Sequence, residues 1–316
     1  MESRTAMEKI IADRLSVDTI EEVLLFPKYF EIETINICNS RCIMCPVDKW
    51  RPGEQKRKIM SRELFNKFVD EVKQYSDWIE KVALFKNGEP LLDVDLVNKI
   101  KELKKIGIKK VNVTTNASLL DNKLALELIE GGLDEADISM DSIRKEVYSK
   151  IRRGLDFDTV LNNIINIIRQ RDMLGSKMNI RIRMVLLEEN RDEVTEWMDY
   201  WQAKANPNID SVYVLQNHFW GDAAQSEQTL IYTPCISPFS TVVMHYDGSV
   251  AMCGADYQLN NKMGDFNKQS IKDIWNETAF SKLREMHLGG ERVKIDACKA
   301  CTYWDKNKIV ADSVSR

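Results

Sequence analysis

Residues 30–45 read FEIETINICNSRCIMC. The first eight alternate apolar and polar side chains, the period-2 pattern of a half-buried strand. The next eight place thiols at Cys38, Cys42 and Cys45, three soft ligands on one loop directly after that strand. Thiolates favour iron–sulfur clusters or zinc. A tetrahedral zinc site wants a fourth ligand close by, and no His or Cys follows within the next hundred residues. Three thiolates suit a 4Fe–4S cluster with one iron left open to a substrate or cofactor. A zinc loop completed from afar, or three incidental buried cysteines, are the alternatives.

Outward from this segment the chain keeps a regular rhythm. Strand patterns over 79–85, 111–115, 135–140, 178–187 and 211–216 alternate with helical patterns over 61–72, 92–106, 121–131, 142–151, 156–171 and 193–204. Short Gly-containing returns between them imply parallel βα units with right-handed crossovers, in a barrel-like or doubly wound sheet. Upstream, residues 1–27 read as a helical segment, with Asp18 and Glu21 spaced as a capping box. After Trp220 the rhythm stops. Residues 221–228 form a small, polar linker, and the patterns at 241–245 and 249–253 around Tyr246-Asp247-Gly248 predict a hairpin. Short helices follow at 270–276 and 280–286, then a loop ending Cys298-Lys-Ala-Cys301. The expected division is 1–27, 28–224 and 225–316.

The 316 residues carry 45 Lys and Arg against 49 Asp and Glu, a net charge of −4. That balance argues against general nucleic-acid affinity, which rests on cationic neutralisation of phosphates. No apolar run approaches the roughly 20 residues of a membrane span, and the N-terminus does not read as a signal peptide. A cytoplasmic protein is expected. Seven cysteines, an odd number, then argue against a disulfide framework. Their division into Cys38, Cys42 and Cys45 and, far away, Cys235, Cys253, Cys298 and Cys301 suggests two metal sites with different tasks.

The C-x3-C-x2-C spacing after the first strand of a repeated βα pattern resembles the radical SAM signature. The resemblance covers residues 30 to about 216 and implies an α/β fold with a partial (β/α)6 barrel. It also implies S-adenosylmethionine (SAM) chelated by the open iron and cleaved to a 5′-deoxyadenosyl radical. Asn87-Gly88-Glu89-Pro90 resembles the family's GGEP motif, with Gly88 and Glu89 implied to hold the SAM amino group. Thr114-Thr115-Asn116 resembles TTNG with Ala117 in place of glycine, and implies a SAM contact at Asn116. Ser139-Met140-Asp141 is similar to S-x-D, which implies a ribose or substrate contact at Ser139. In Ile151-Arg152-Arg153-Gly154, Arg152 is the implied partner of the SAM carboxylate. Met44 stands where the family commonly has an aromatic residue near adenine.

Four cysteines in the second group are by themselves compatible with structural zinc. Beside the first motif they resemble the twitch form of the SPASM domain, over roughly residues 233–304. Tyr246-Asp247-Gly248-Ser249 before Cys253, Gly264-Asp265 and Ile274-Trp275-Asn276 support that resemblance. It implies a small C-terminal α+β twitch domain holding one auxiliary 4Fe–4S cluster, fully ligated and so suited to electron relay. The spacing is most similar to the twitch-type dehydrogenase acting on the aminocyclitol 2-deoxy-scyllo-inosamine.

His218, just past the sixth strand pattern, is a candidate base, with a packing role as the plain alternative; a neutral imidazole is a competent base near pH 7. Glu33, Arg181 and Arg183 alternate on strands, and Arg181 is the candidate for substrate contact. His245 reads as structural. The expected activity is a radical SAM oxidoreductase. It oxidises a carbinol of a sugar, aminocyclitol or nucleotide sugar and is reduced by a flavodoxin or ferredoxin-type donor. A peptide-modifying maturase, a redox-neutral carbohydrate epimerase or lyase, and a non-catalytic iron–sulfur or zinc-binding regulator are the rivals.

Overall fold

A computed structural model describes residues 4–46, 58–217, 230–304 and 309–312. His218, the 221–228 linker and the basic residues 56–57 lie outside them. In chain order the strands are β1 (Tyr29–Ile32), β2 (Lys81–Ala83), β3 (Val111–Thr115), β4 (Glu135–Ser139), β5 (Asn179–Leu186) and β6 (Ser211–Gln216). After them come β7 (Thr241–Met244), β8 (Ser249–Ala251), β9 (Lys262–Asp265) and β10 (Ile309–Asp312). The fold is α/β with a mostly parallel sheet.

The chain packs as two compact units, neither continuous in sequence. One comprises Met1–Glu33, Met60–Val82 and His218–Asp305, the other Thr34–Ile59, Ala83–Asn217 and Lys306–Arg316. In the first, β1 runs parallel to β7, from Tyr29 opposite Thr241 to Ile32 opposite Met244. The hairpin expected from sequence is present: β7 and β8 pair antiparallel, and β9 adds to β8. Helix Arg4–Leu15 and helix Ile20–Leu25 contribute Met7, Ile11, Leu15, Ile20 and Val23 to a core closed by Phe239 and Leu288. The cap between these helices is one residue later than the spacing suggested. Thr19 is the N-cap, and the Glu22 carboxylate accepts from its backbone N–H at 2.9 Å.

In the second unit β3, β4, β5 and β6 are consecutive parallel neighbours, and β10 joins β6 antiparallel. Register sorts their side chains by period. Val113, Ala136, Ile138, Ile180, Ile182, Val212 and Val214 lie on one face and are buried, as a helix-covered parallel sheet requires. Asn112, Glu135, Asp137, Ser139, Arg181, Arg183 and Tyr213 share the other face. The sequence therefore builds an apolar back and a polar front on the same four strands. Helix Asn122–Glu130 opens on the Asp121 cap, and helix Phe157–Met173 on the Asp156 cap.

Candidate functional site

The Cys38–Cys45 loop is held by backbone on both sides. Arg41 and Cys42 pair antiparallel with Arg153 and Arg152, and the Ile43 N–H reaches the Ile151 carbonyl at 3.0 Å. Ser40 Oγ lies 3.1 Å from Cys38 Sγ and 3.3 Å from Cys42 Sγ. Arg152 Nη1 donates to Cys42 Sγ at 3.4 Å, and Asn116 Nδ2 is 4.0 Å from Cys38 Sγ. Burial pushes the Cys38 thiol up, against the hydrogen bonds from Ser40. Cys38, held from ionising by burial yet set beside donors suited to a sulfur anion, fits a cluster whose irons supply the missing positive charge.

Gly88 and Glu89 are locked onto the segment leading into this loop. A Cβ on Gly88 would stand 2.4 Å from the Ile35 carbonyl oxygen, and the Glu89 N–H donates to the Ile37 carbonyl at 2.8 Å. The buried Glu89 carboxylate accepts from Thr115 Oγ1 at 2.6 Å, Asn116 N at 2.8 Å and Leu91 N at 3.1 Å. Burial raises its pKa, and these donors with Arg152 only partly oppose the rise. Asn116 Nδ2 also donates to Asn39 Oδ1 at 2.9 Å, so the ends of β3 and of the cysteine loop are joined. Ala117, the residue standing for glycine, sits at φ +59°, fully buried. Arg152 donates through Nε to Asp141 Oδ2, so its implied SAM partner would share it with a carboxylate. Ser139 lies on the polar front of β4, within 3.3 Å of Arg183 Nε, and Met44 is partly exposed between Cys42 and Cys45.

Asp137, which no motif announced, is the hub of that front. It accepts from Asn112 Nδ2 at 2.7 Å and from Tyr213 OH at 2.8 Å, with Arg181 Nη1 at 3.5 Å. Burial alone would raise its pKa, but Arg181, Arg183 and these hydrogen bonds outweigh it and hold the carboxyl below its ordinary value. Period-2 alternation on β4 and β5 was the available signal, and it led only as far as Arg181 and Arg183.

In the other unit the second cysteine group is organised by Arg292, which sequence patterns also did not reveal. Its buried guanidinium donates to the carbonyls of Thr233 at 2.8 Å, Cys298 at 3.0 Å and Cys301 at 2.5 Å. His287 Nδ1 accepts the Cys235 N–H at 3.1 Å. Burial, then the neighbouring Cys235 and Cys301, push the Cys298 thiol up to about 12. Those thiols are close enough to oppose one another's charge, as ligands of one cationic group would be. Cys253 follows β8, with its carbonyl accepting from Asp256 N at 3.2 Å. Among the described residues no three His, Cys, Asp or Glu side chains converge as a single ion would need. A four-iron cluster instead gives each thiolate its own iron.

A thiol loop at the end of the first strand, motif residues at later strand ends and a separate cysteine group define an iron–sulfur enzyme of α/β fold. The radical SAM superfamily model matches residues 32–200 and the iron–sulfur cluster-binding SPASM domain model residues 235–302, so the chain belongs to the radical SAM superfamily. Its cofactors are 4Fe–4S clusters and SAM. The GTP 3′,8-cyclases of Limosilactobacillus fermentum and Lactiplantibacillus plantarum are 32% and 30% identical over 174 and 177 residues, 54% of this chain and 50% of each relative. The chain thus spans about half the length of the curated relatives it matches. Among solved structures, BtrN in complex with AdoMet and 2-DOIA is 20% identical, covers 88% of this chain and 93% of its own, and has a TM-score of 0.59. Streptococcus suis SuiB bound to precursor peptide SuiA is 14% identical, covering 87% and 70%, at 0.66. These likenesses show the fold. Among the described residues no helix is long and apolar enough to cross a membrane.

Proposed function

We propose that this radical SAM enzyme oxidises a carbinol of a small polar substrate (a sugar, aminocyclitol or nucleotide sugar) to a ketone. When bound, SAM and its cluster supply a 5′-deoxyadenosyl radical that takes the carbinol hydrogen, and the auxiliary cluster accepts the remaining electron. In this assignment Cys38, Cys42 and Cys45 hold the first cluster, and Cys235, Cys253, Cys298 and Cys301 the second. Glu89, Gly88 and Asn116 receive the SAM amino end, Arg152 its carboxylate, Ser139 the ribose, and Met44 the adenine. Arg181 orients substrate hydroxyls.

The observation that carries this proposal is the polar front of β3–β6. Asn112, Asp137, Ser139, Arg181, Arg183 and Tyr213 offer closely set donors and acceptors of both charges, which suit a neutral or zwitterionic polyhydroxyl ligand. The near full-length likeness to BtrN supports the same substrate class. A division at 28–224 and 225–316, a cytoplasmic setting and a flavodoxin or ferredoxin-type donor complete the proposal.

The partial likeness to GTP 3′,8-cyclases favours a second reading, redox-neutral chemistry on a purine nucleotide. A screen of carbinol-deuterated aminocyclitols, hexoses and nucleotide sugars, with GTP alongside, separates the two. Deuterium in 5′-deoxyadenosine together with a ketone supports oxidation; turnover of GTP alone overturns it.

A further inference from the structure

We infer that Arg152, fixed by Asp141, and the Ser40 hydroxyl form a built-in donor set on Cys42 that raises the reduction potential of the first cluster before SAM arrives. The inference rests on the assignment of Cys42 as a cluster ligand above, and it gives Arg152 a task besides the SAM carboxylate. All four residues lie in the unit that holds the cysteine loop.

Backbone register brings the guanidinium to the thiol. Arg41 and Cys42 pair with Arg153 and Arg152, so Cys42 and Arg152 stand directly opposite each other. Residues so placed have Cβ atoms about 4.5–5.5 Å apart on one face. Arg152 Nη1 donates to Cys42 Sγ at 3.4 Å, while Nε donates to Asp141 Oδ2. Asp141 is itself held fast. It is fully buried, its Oδ1 accepts the Val185 N–H at 2.8 Å, and its carbonyl accepts from Asn190 Nδ2 at 2.8 Å. With Nε on that carboxylate and the side chain 11% exposed, the rigid guanidinium plane keeps Nη1 on the sulfur. Ser40 adds a second donor: it is buried, with Oγ 3.1 Å from Cys38 Sγ and 3.3 Å from Cys42 Sγ. Between a hydroxyl and a free thiol either atom can donate. A thiolate on iron has no hydrogen to give, so the hydroxyl proton then points at sulfur.

Reduction moves one electron from the flavodoxin or ferredoxin-type donor to the cluster, and the added negative charge spreads onto the thiolate sulfurs. N–H and O–H donors stabilise that more negative state more than the oxidised one, and hydrogen bonds to sulfur are among the factors that set such potentials. Burial keeps water from screening the effect. The Asp141 carboxylate offsets part of the guanidinium charge, so what reaches Cys42 is chiefly the directed N–H···S bond. Asp141 is a positioning residue that acts through Arg152.

The test is a redox titration of the reconstituted holoenzyme followed by electron paramagnetic resonance, without SAM, where a role confined to the SAM carboxylate contributes nothing. The signal that Cys42→Ala lacks identifies the first cluster, and the remaining signal is the internal reference. In Arg152→Gln that keeps both clusters, reduction of the first should become about tenfold less favourable, a drop of about 59 mV for a one-electron couple. The second cluster should not move. Arg152→Lys, which keeps the charge but not the fork, and Ser40→Ala should each drop less. A wild-type potential in Arg152→Gln overturns the inference and leaves the Cys42 assignment standing. If Arg152→Gln does not assemble the first cluster, wild-type potentials in both Arg152→Lys and Ser40→Ala overturn it instead. A Cys42→Ala protein that keeps both signals overturns the ligand assignment and the inference together.

Discussion

Replacing Gly88 with alanine should damage both the fold and the proposed SAM site, because the space a methyl group needs is filled by backbone. The added Cβ would meet the carbonyl oxygen of Ile35 at 2.4 Å, that of Ile37 at 2.8 Å and the Ile37 nitrogen at 3.0 Å. Ordinary contact begins near 3.4 Å, so the first overlap is about 1 Å. No side-chain rotation relieves it; one chain segment must move. Overpacking of this kind costs about 1–3 kcal/mol. Moving residue 88 also stretches the 2.8 Å bond from Glu89 N–H to the Ile37 carbonyl, about 1 kcal/mol more. The sum, about 2–4 kcal/mol, corresponds to a fall in Tm of roughly 3–6 °C for a chain of this size. Glu89 would move with its neighbour, so SAM affinity should drop at least about tenfold. Thermal unfolding of the reconstituted protein and equilibrium dialysis with SAM measure the two effects. A Gly88→Ala protein with wild-type Tm and wild-type SAM affinity would refute the close-approach reasoning.

Ala117 tests the opposite sign. At φ +59° a non-glycine residue is strained by about 1–2 kcal/mol, so Ala117→Gly should raise stability by about 1 kcal/mol in denaturant titration. Replacing Cys38, Cys42 or Cys45 with alanine should take iron content from about eight to about four per chain and abolish 5′-deoxyadenosine formation, read by iron assay and chromatography. A folded Cys298→Ala, Cys301→Ala variant should keep making 5′-deoxyadenosine but yield far less ketone per deoxyadenosine. Asp137 has a folded pKa below its unfolded value, so its contribution to stability is present above about pH 3.9 and lost as pH falls toward the folded value. The stability gap between wild type and Asp137→Asn, measured by denaturation across pH 3–7, should therefore shrink at the acid end.

Where side-chain periodicity and backbone pairing agree, the sequence was legible. The bounds expected for β3 and β6 are those observed, because parallel pairing runs over 112–115 of β3 and over all of β6. The 30–37 pattern was read as one strand, yet β1 ends at Ile32. Past Ile32 the chain bends at Thr34, after which Ile35 bridges to Ile59 and the Ile35 and Ile37 carbonyls pack against Gly88. The helix expected at 92–106 begins at Leu96, after a 3-10 turn at Pro90–Leu92 that the Glu89 side chain caps. Cysteine spacing and strand-end motifs singled out Cys38, Cys42, Glu89, Asn116 and Arg152, and the structure brings these residues into linked contact. Arg292 was invisible because its partners are backbone carbonyls, which leave no pattern in the sequence. The pairing of β1 with β7, which sets Glu33 Oε2 3.1 Å from His245 Nδ1, needed two segments about two hundred residues apart to be seen side by side.

The central claim is oxidation of a carbinol by hydrogen-atom removal. Its most direct test is mass spectrometry of both products from one anaerobic turnover of carbinol-deuterated substrate. The account predicts one deuterium in 5′-deoxyadenosine and, in equal amount, a ketone lighter than the substrate by that deuterium and one hydrogen. A product isomeric with the substrate, or one heavier than the ketone because both hydrogens are kept, would contradict it.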